Sequence, residues 1–204
     1  FDSTVLSAYL YWFGNGIFDD QPPGADFDDV IFTTPTGFTN ISADEVYLIE
    51  GVGSAADLDF YAAYKEVTGL VSSNGTYQVD GIDVDLRGVG AGTNKWANTS
   101  ACAGGFALIV VYENTFEQLR VINLFQGFQP FQNSAFGLVP RNFRMAGQDT
   151  ARQLPNGLIT HVTVEGDETL NNGVESLEFQ DAPSSITYTP LTTIYNPPQA
   201  EFNS

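Results

Sequence analysis

A chain of 204 residues, 43% of them hydrophobic, is long enough to bury a full core as one all-β unit. Its 25 Asp and Glu against 7 Lys and Arg give a formal charge of −18, a field that repels phosphate backbones and anionic lipid, so nucleic acid and acidic membranes are excluded as partners. No uncharged apolar run is long enough to span a membrane, and Cys102 is single, so no disulfide within the chain can brace the fold.

Thr4 to Phe13 (TVLSAYLYWF) is a β-favouring run that Gly14-Asn15-Gly16 is expected to close with a turn. An acidic Pro/Gly loop covers Asp19 to Asp29. Val30 to Thr33 and Val46 to Glu50 are short strands, separated by the turn-rich string TTPTGFTN. The stretch from Ala55 to Val71 is the one helical pattern, because Leu58, Tyr61, Ala62 and the residues from Lys65 to Leu70 recur at spacings of three and four. Ser73-Asn74-Gly75 turns into an alternating strand, Thr76 to Val79. A loop rich in Gly, Asn and Ser leads into Gly105 to Tyr112 (GFALIVVY), whose unbroken apolar run predicts a strand covered on both faces. Leu119 to Phe128 (LRVINLFQGF) is its expected hairpin mate, and further strands are expected at Leu158 to Glu165, Val174 to Phe179 and Ile186 to Tyr188. About nine strands without βαβ alternation predict a single all-β domain over residues 1–204, a two-sheet sandwich or jelly roll with one short helix at about residues 55–71.

The residues offer little to catalysis. His161 is the only histidine and sits inside an alternating strand pattern, and no Gly-x-Ser-x-Gly elbow or paired-cysteine motif occurs. Gly51-Val52-Gly53-Ser54-Ala55-Ala56 imitates a dinucleotide-binding turn but lacks the βαβ repeats and the ribose carboxylate that such a site requires. Acidic residues gather in turns: Asp19, Asp20, Asp26, Asp28 and Asp29; then Asp80, Asp83 and Asp85; then Glu165, Asp167 and Glu168. Solvated turn carboxylates make poor acid–base pairs, yet Ca²⁺ takes six to eight oxygens from such loops, so the first two clusters are the candidate ligands of a bound Ca²⁺. The competing reading is a solvated acidic surface. The expectation is therefore a protein that is not an enzyme. Asn40, Asn74 and Asn98 each open an Asn-x-Ser/Thr sequon.

Several strings, in order along the chain, carry a resemblance: AYLYWFGNG from Ala8, NGTYQVDG from Asn74, GGFALIVVYE from Gly104, LRVINLFQGF from Leu119, HVTVEGD from His161 and NPPQAEFNS from Asn196. They resemble a domain of large secreted or surface-anchored bacterial proteins that also carry β-sandwich repeats. The resemblance implies an extracellular, non-enzymatic surface protein and supplies no catalytic residues. Relatives of that kind continue past the Phe-Asn-Ser string, so a sandwich ending at Ser204 is expected to leave an edge that a neighbouring copy completes. The apolar segment Phe1 to Phe13 is the candidate donor strand, the competing reading being a core strand of its own domain. Phe1 in place of Met fits a secreted chain whose leader has been removed.

Two function classes follow. The first is a structural subunit of an extracellular filament or matrix, assembling with copies of itself or with other surface proteins. The second is a calcium-dependent, carbohydrate-binding adhesin domain, with Trp12, Trp96 or Tyr112 stacking on glycans. The first is favoured because Trp12 lies within a strand run, where core packing is the ordinary fate of a tryptophan.

Overall fold

A computed structural model describes residues 3–16, 27–49, 59–84, 104–128, 160–162, 178–179 and 189–190. Nine strands run through these segments: β1 Ser3–Gly16, β2 Asp29–Thr34, β3 Gly37–Ser42, β4 Glu45–Ile49, β5 Asp59–Glu66, β6 Gln78–Asp80, β7 Gly104–Asn114, β8 Glu178–Phe179 and β9 Thr189–Pro190. Strands β4-β5-β1-β7 form one antiparallel sheet and β3-β2-β6 a second, with β8 and β9 paired on their own. The chain crosses between the two larger sheets after β1, β3, β5 and β6, so neither sheet is built from a continuous stretch of sequence. The fold is an all-β sandwich.

Alternation in β1 explains why that strand is central. Ala8, Leu10 and Trp12 are buried on one face, while Tyr9, Tyr11 and Phe13 are half-buried on the other. Opposite the inward set stand Val110, Leu108 and Phe106 of β7 on one side and Lys65 and Ala63 of β5 on the other. From the three-stranded sheet come Val30, Phe32 and Ile41, which join Ala8, Leu10, Trp12, Tyr61 and Ala63 in one apolar core. Each large side chain buried in this way contributes about 1.5–3 kcal/mol relative to exposure. Of the two readings of the N-terminal segment, donor strand or core strand of its own domain, the described part, Ser3–Gly16, fits the second: it is paired on both edges within the larger sheet.

Four local expectations are corrected. The helix at residues 55–71 is not formed: Asp59–Glu66 is a strand, followed by a single 3₁₀ turn at Thr68–Leu70, and 55–58 lie outside the described residues. In the run FYAAY every position is apolar, so periods of 2 and 3.6 fit equally; pairing with β4 and β1 together selects the strand, which buries Asp59, Tyr61 and Ala63. The spacing of three and four survives only at the 3₁₀ turn, flanked by the buried Val67 and Val71. Second, Gly14-Asn15-Gly16 does not turn, since all three residues stay in β1 opposite Tyr61, Phe60 and Asp59. Third, the string TTPTGFTN is strand at all but two positions: a tight turn at Pro35 and Thr36 sends the chain back as β3, with Thr34 Oγ1 accepting from Thr36 N–H at 3.3 Å and Gly37 taking φ +149°. Fourth, Leu119 to Phe128 pairs with nothing as a strand, and β7 instead pairs with β1. Strand β7 is therefore half-buried rather than covered on both faces, with Phe106 43% and Tyr112 56% exposed.

Candidate functional site

The predicted calcium ligands divide. Asp19, Asp20, Asp26 and Asp85 lie outside the described residues, as do Trp96, Asn98 and Cys102. Asp29 opens β2 on the outer face of the three-stranded sheet, where its carboxylate accepts a hydrogen bond from Ser42 Oγ at 2.5 Å. Asp80 ends β6 directly opposite Ile31, so the register makes Asp29 and Asp80 diagonal neighbours on one face. One member of each acidic cluster, Asp29 and Asp80, thereby meets the other at one end of this sheet.

Asp28 and Asp83 are used differently. Asp28 C=O accepts Ala43 N–H at 2.6 Å and so ties the start of β2 to the end of β3. Asp83 C=O accepts the Tyr61 hydroxyl at 2.9 Å. Burial, with the Asp83 carboxylate second, holds the Tyr61 phenol far above its ordinary pKa, so it remains a neutral donor throughout the working pH range. Gly14 makes this approach possible: a Cβ there would strike Asp83 O and come 2.7 Å from Tyr61 Cε1. Phe27 stacks on Tyr61 with ring centroids 4.7 Å apart, and its carbonyl accepts Trp12 Nε1–H at 2.9 Å. Trp12 is 1% exposed, so it packs the core and presents no face to a sugar. The described residues contain no group of three acidic, His or Cys side chains placed to hold one metal ion.

The segment following β7 is the feature that strand reading concealed. Asn114 turns the chain, its side-chain oxygen accepting Phe116 N–H at 2.8 Å and its carbonyl accepting Glu117 N–H at 3.0 Å. Beyond this turn Phe116, Leu119, Val121, Ile122, Leu124 and Phe125 are all exposed, Leu119 fully and Phe116 to 85%. The chain returns in the direction a hairpin mate would take, because Gln126 Oε1 accepts the hydroxyl of Tyr11, in the strand next to β7. Its backbone forms no ladder with that sheet. In the sequence, the β-favouring composition of LRVINLFQGF is the one signal of this segment, and it does not distinguish pairing within the chain from pairing with another.

Of the sequon residues, Asn40 and Asn74 are exposed, Asn40 on β3 beside the buried Ile41. Tyr112, a candidate for sugar stacking, is exposed near the end of β7, opposite Val5. No helix among the described residues is long and apolar enough to cross a membrane. No protein-family model matches the chain, and no curated protein or solved structure matches it.

Proposed function

We propose that this chain is an extracellular structural module that assembles with copies of itself through the edge of β7 and the apolar segment following it. One observation carries the reading: from Phe116 to Phe125, six large hydrophobic side chains within ten residues stand 40% or more exposed, the densest such run among the described residues. A segment with this many exposed apolar side chains suits a surface that a partner covers. It adjoins an 11-residue strand that, among the described residues, has a partner on only one edge. An unpaired edge is a template for another chain, and a β-favouring segment beside it is the natural strand to add. Because the donating and receiving surfaces differ, such contacts run head to tail and build open-ended fibres.

The test replaces Leu119 and Ile122 with Glu. Both side chains are exposed, so L119E/I122E is expected to keep the wild-type melting temperature while losing the concentration-dependent oligomers and fibres that light scattering and negative stain are expected to show for wild type. A wild-type chain that stays monomeric at every concentration, or a variant that assembles as well as wild type, overturns the proposal.

A further inference from the structure

We infer that Tyr11 and Tyr64 are the site of an oxidative cross-link, a carbon–carbon bond between the two phenol rings that ties β1 to β5 once the chain meets a one-electron oxidant such as a haem peroxidase supplied with hydrogen peroxide. The register is the first ground. Tyr11, Tyr64 and Glu45 lie side by side across β1, β5 and β4, and residues directly opposite in an antiparallel pair bring their Cβ atoms to about 4.5–5.5 Å. Among the described strand pairs no other tyrosine faces a tyrosine. Tyr9 stands between Glu66 and Ile109, Tyr47 beside Ala62, Tyr61 between Gly14 and Leu48, and Tyr112 beside Val5.

The rings are also placed to react. Their centroids are 5.8 Å apart and their planes inclined by 31°. Both side chains are half-buried, and their hydroxyls make exposed hydrogen bonds, Tyr11 donating to Gln126 Oε1 at 3.1 Å and Tyr64 to Glu45 Oε2 at 3.5 Å. The carbons that couple lie next to the hydroxyl on each ring, at the end where those exposed bonds are made. Rotation of a tyrosine ring about its own axis lies in a broad torsional well, which lets two facing rings close the remaining gap without leaving their rotamers. Other tyrosines are withheld. Tyr61 is fully buried, and Tyr77 stacks on Phe32 with centroids 5.8 Å apart.

The step balances as follows. Two one-electron oxidations remove an electron and the phenolic proton from each tyrosine, the Tyr64 proton leaving on the side of the Glu45 carboxylate. The two phenoxyl radicals join through the carbons next to their oxygens. Each ring then regains its aromaticity as the hydrogen on the newly bonded carbon moves to the phenol oxygen. The pair has lost two hydrogen atoms in all, and one hydrogen peroxide has become two waters. The bond supplies what cysteine chemistry cannot, since Cys102 is single and no disulfide can form within the chain. A covalent tie between residues this far apart in sequence restricts the unfolded chain and so favours the folded one.

Treating the dilute full chain with a haem peroxidase and hydrogen peroxide tests the site. The monomer band is expected to gain dityrosine fluorescence. Cleavage before aspartate is expected to release residues 2–18 joined to residues 59–79, lighter than the two peptides together by two hydrogen atoms, with fragment ions placing the bond at Tyr11 and Tyr64. Y11F and Y64F, which keep the rings and their packing, are each expected to abolish the monomer fluorescence, whereas Y9F and Y47F keep it. In concentrated urea, where the register is lost, the same treatment is expected to scatter bonds over other tyrosines. The cross-linked monomer is expected to unfold at a higher urea concentration than the untreated chain. Absence of the joined peptides from the oxidised monomer, or a Y64F monomer as fluorescent as wild type, overturns the inference. So does dityrosine confined to covalent dimers whose yield rises with protein concentration, since the coupling would then join copies and not β1 to β5.

Discussion

Trp12 joins the two sheets through both its bulk and its one polar atom. Its indole fills the core between Leu10 and Gly14 on β1, and Nε1–H is satisfied by the carbonyl of Phe27 just before β2. W12A is expected to lower the unfolding free energy by about 3–5 kcal/mol, measured by urea denaturation, because a cavity is created and the indole's hydrogen bond to the Phe27 carbonyl is lost. W12F should cost less. Gly14 is the matching requirement on the other side of the residue pair: G14A forces a methyl group against backbone, which cannot yield as a flexible side chain does, and is expected to destabilise by about 1–3 kcal/mol in the same assay. Asp44 works at the surface. Its carboxylate accepts the backbone N–H of Glu66 at 2.9 Å and the Lys65 ammonium at 2.6 Å, and these two bonds, in that order, hold its pKa below the ordinary 3.8. A group depressed in the folded state contributes stability above its unfolded pKa and loses it as pH falls through the folded one. D44N is therefore expected to lower the melting temperature slightly at pH 7 and not at all below pH ~3, the effect at neutral pH remaining under about 1 kcal/mol for so exposed a pair.

At the scale of the element, β1 and the segment after β7 exchange the roles that composition suggests for them. The apolar N-terminal run has the look of a strand that could be lent to a neighbour, yet Ala8, Leu10 and Trp12 are the centre of this chain's own core. Removing residues 1–13 is expected to abolish cooperative unfolding altogether, seen as loss of the thermal transition by circular dichroism. Leu119 to Phe128 has the look of an ordinary hairpin strand and is the apolar surface left uncovered. The L119E/I122E variant described above is accordingly expected to change association and leave the transition in place. Opposite outcomes for these two changes separate a strand that makes the fold from a segment that uses it.

For the whole molecule, the charge of −18 opposes any contact between copies, so apolar attachment has to overcome mutual repulsion. Assembly is expected to strengthen as salt is raised toward a Debye length of about 3 Å, and again as pH is lowered toward the sequence pI of about 4.1, with light scattering as the measure. A patch held by ion pairs would respond to salt in the reverse direction.

The sequence by itself determined the class of this protein: alternating apolar and aromatic runs, punctuated by Gly, Pro and Asn turns, allow little but an all-β sandwich, and Trp12 in such a run belongs in the core. It also placed the strands at Val30, Val46 and Gly105, where the local pattern is unambiguous. What tertiary structure alone decided was which strand lies beside which. The run from Phe60 to Tyr64 is equally apolar at helical and extended spacing, and becomes a strand because β1 and β4 offer it two ladders. Gly14 reads as a turn residue, yet serves to admit Tyr61 and Asp83 close to the backbone. Leu119 to Phe128 has every local qualification for a strand and forms none, although β1 occupies only one edge of β7, because local composition does not by itself make a ladder. The row of Tyr11, Tyr64 and Glu45 is likewise invisible along the chain: only the register of three strands, distant in sequence, brings those side chains into line.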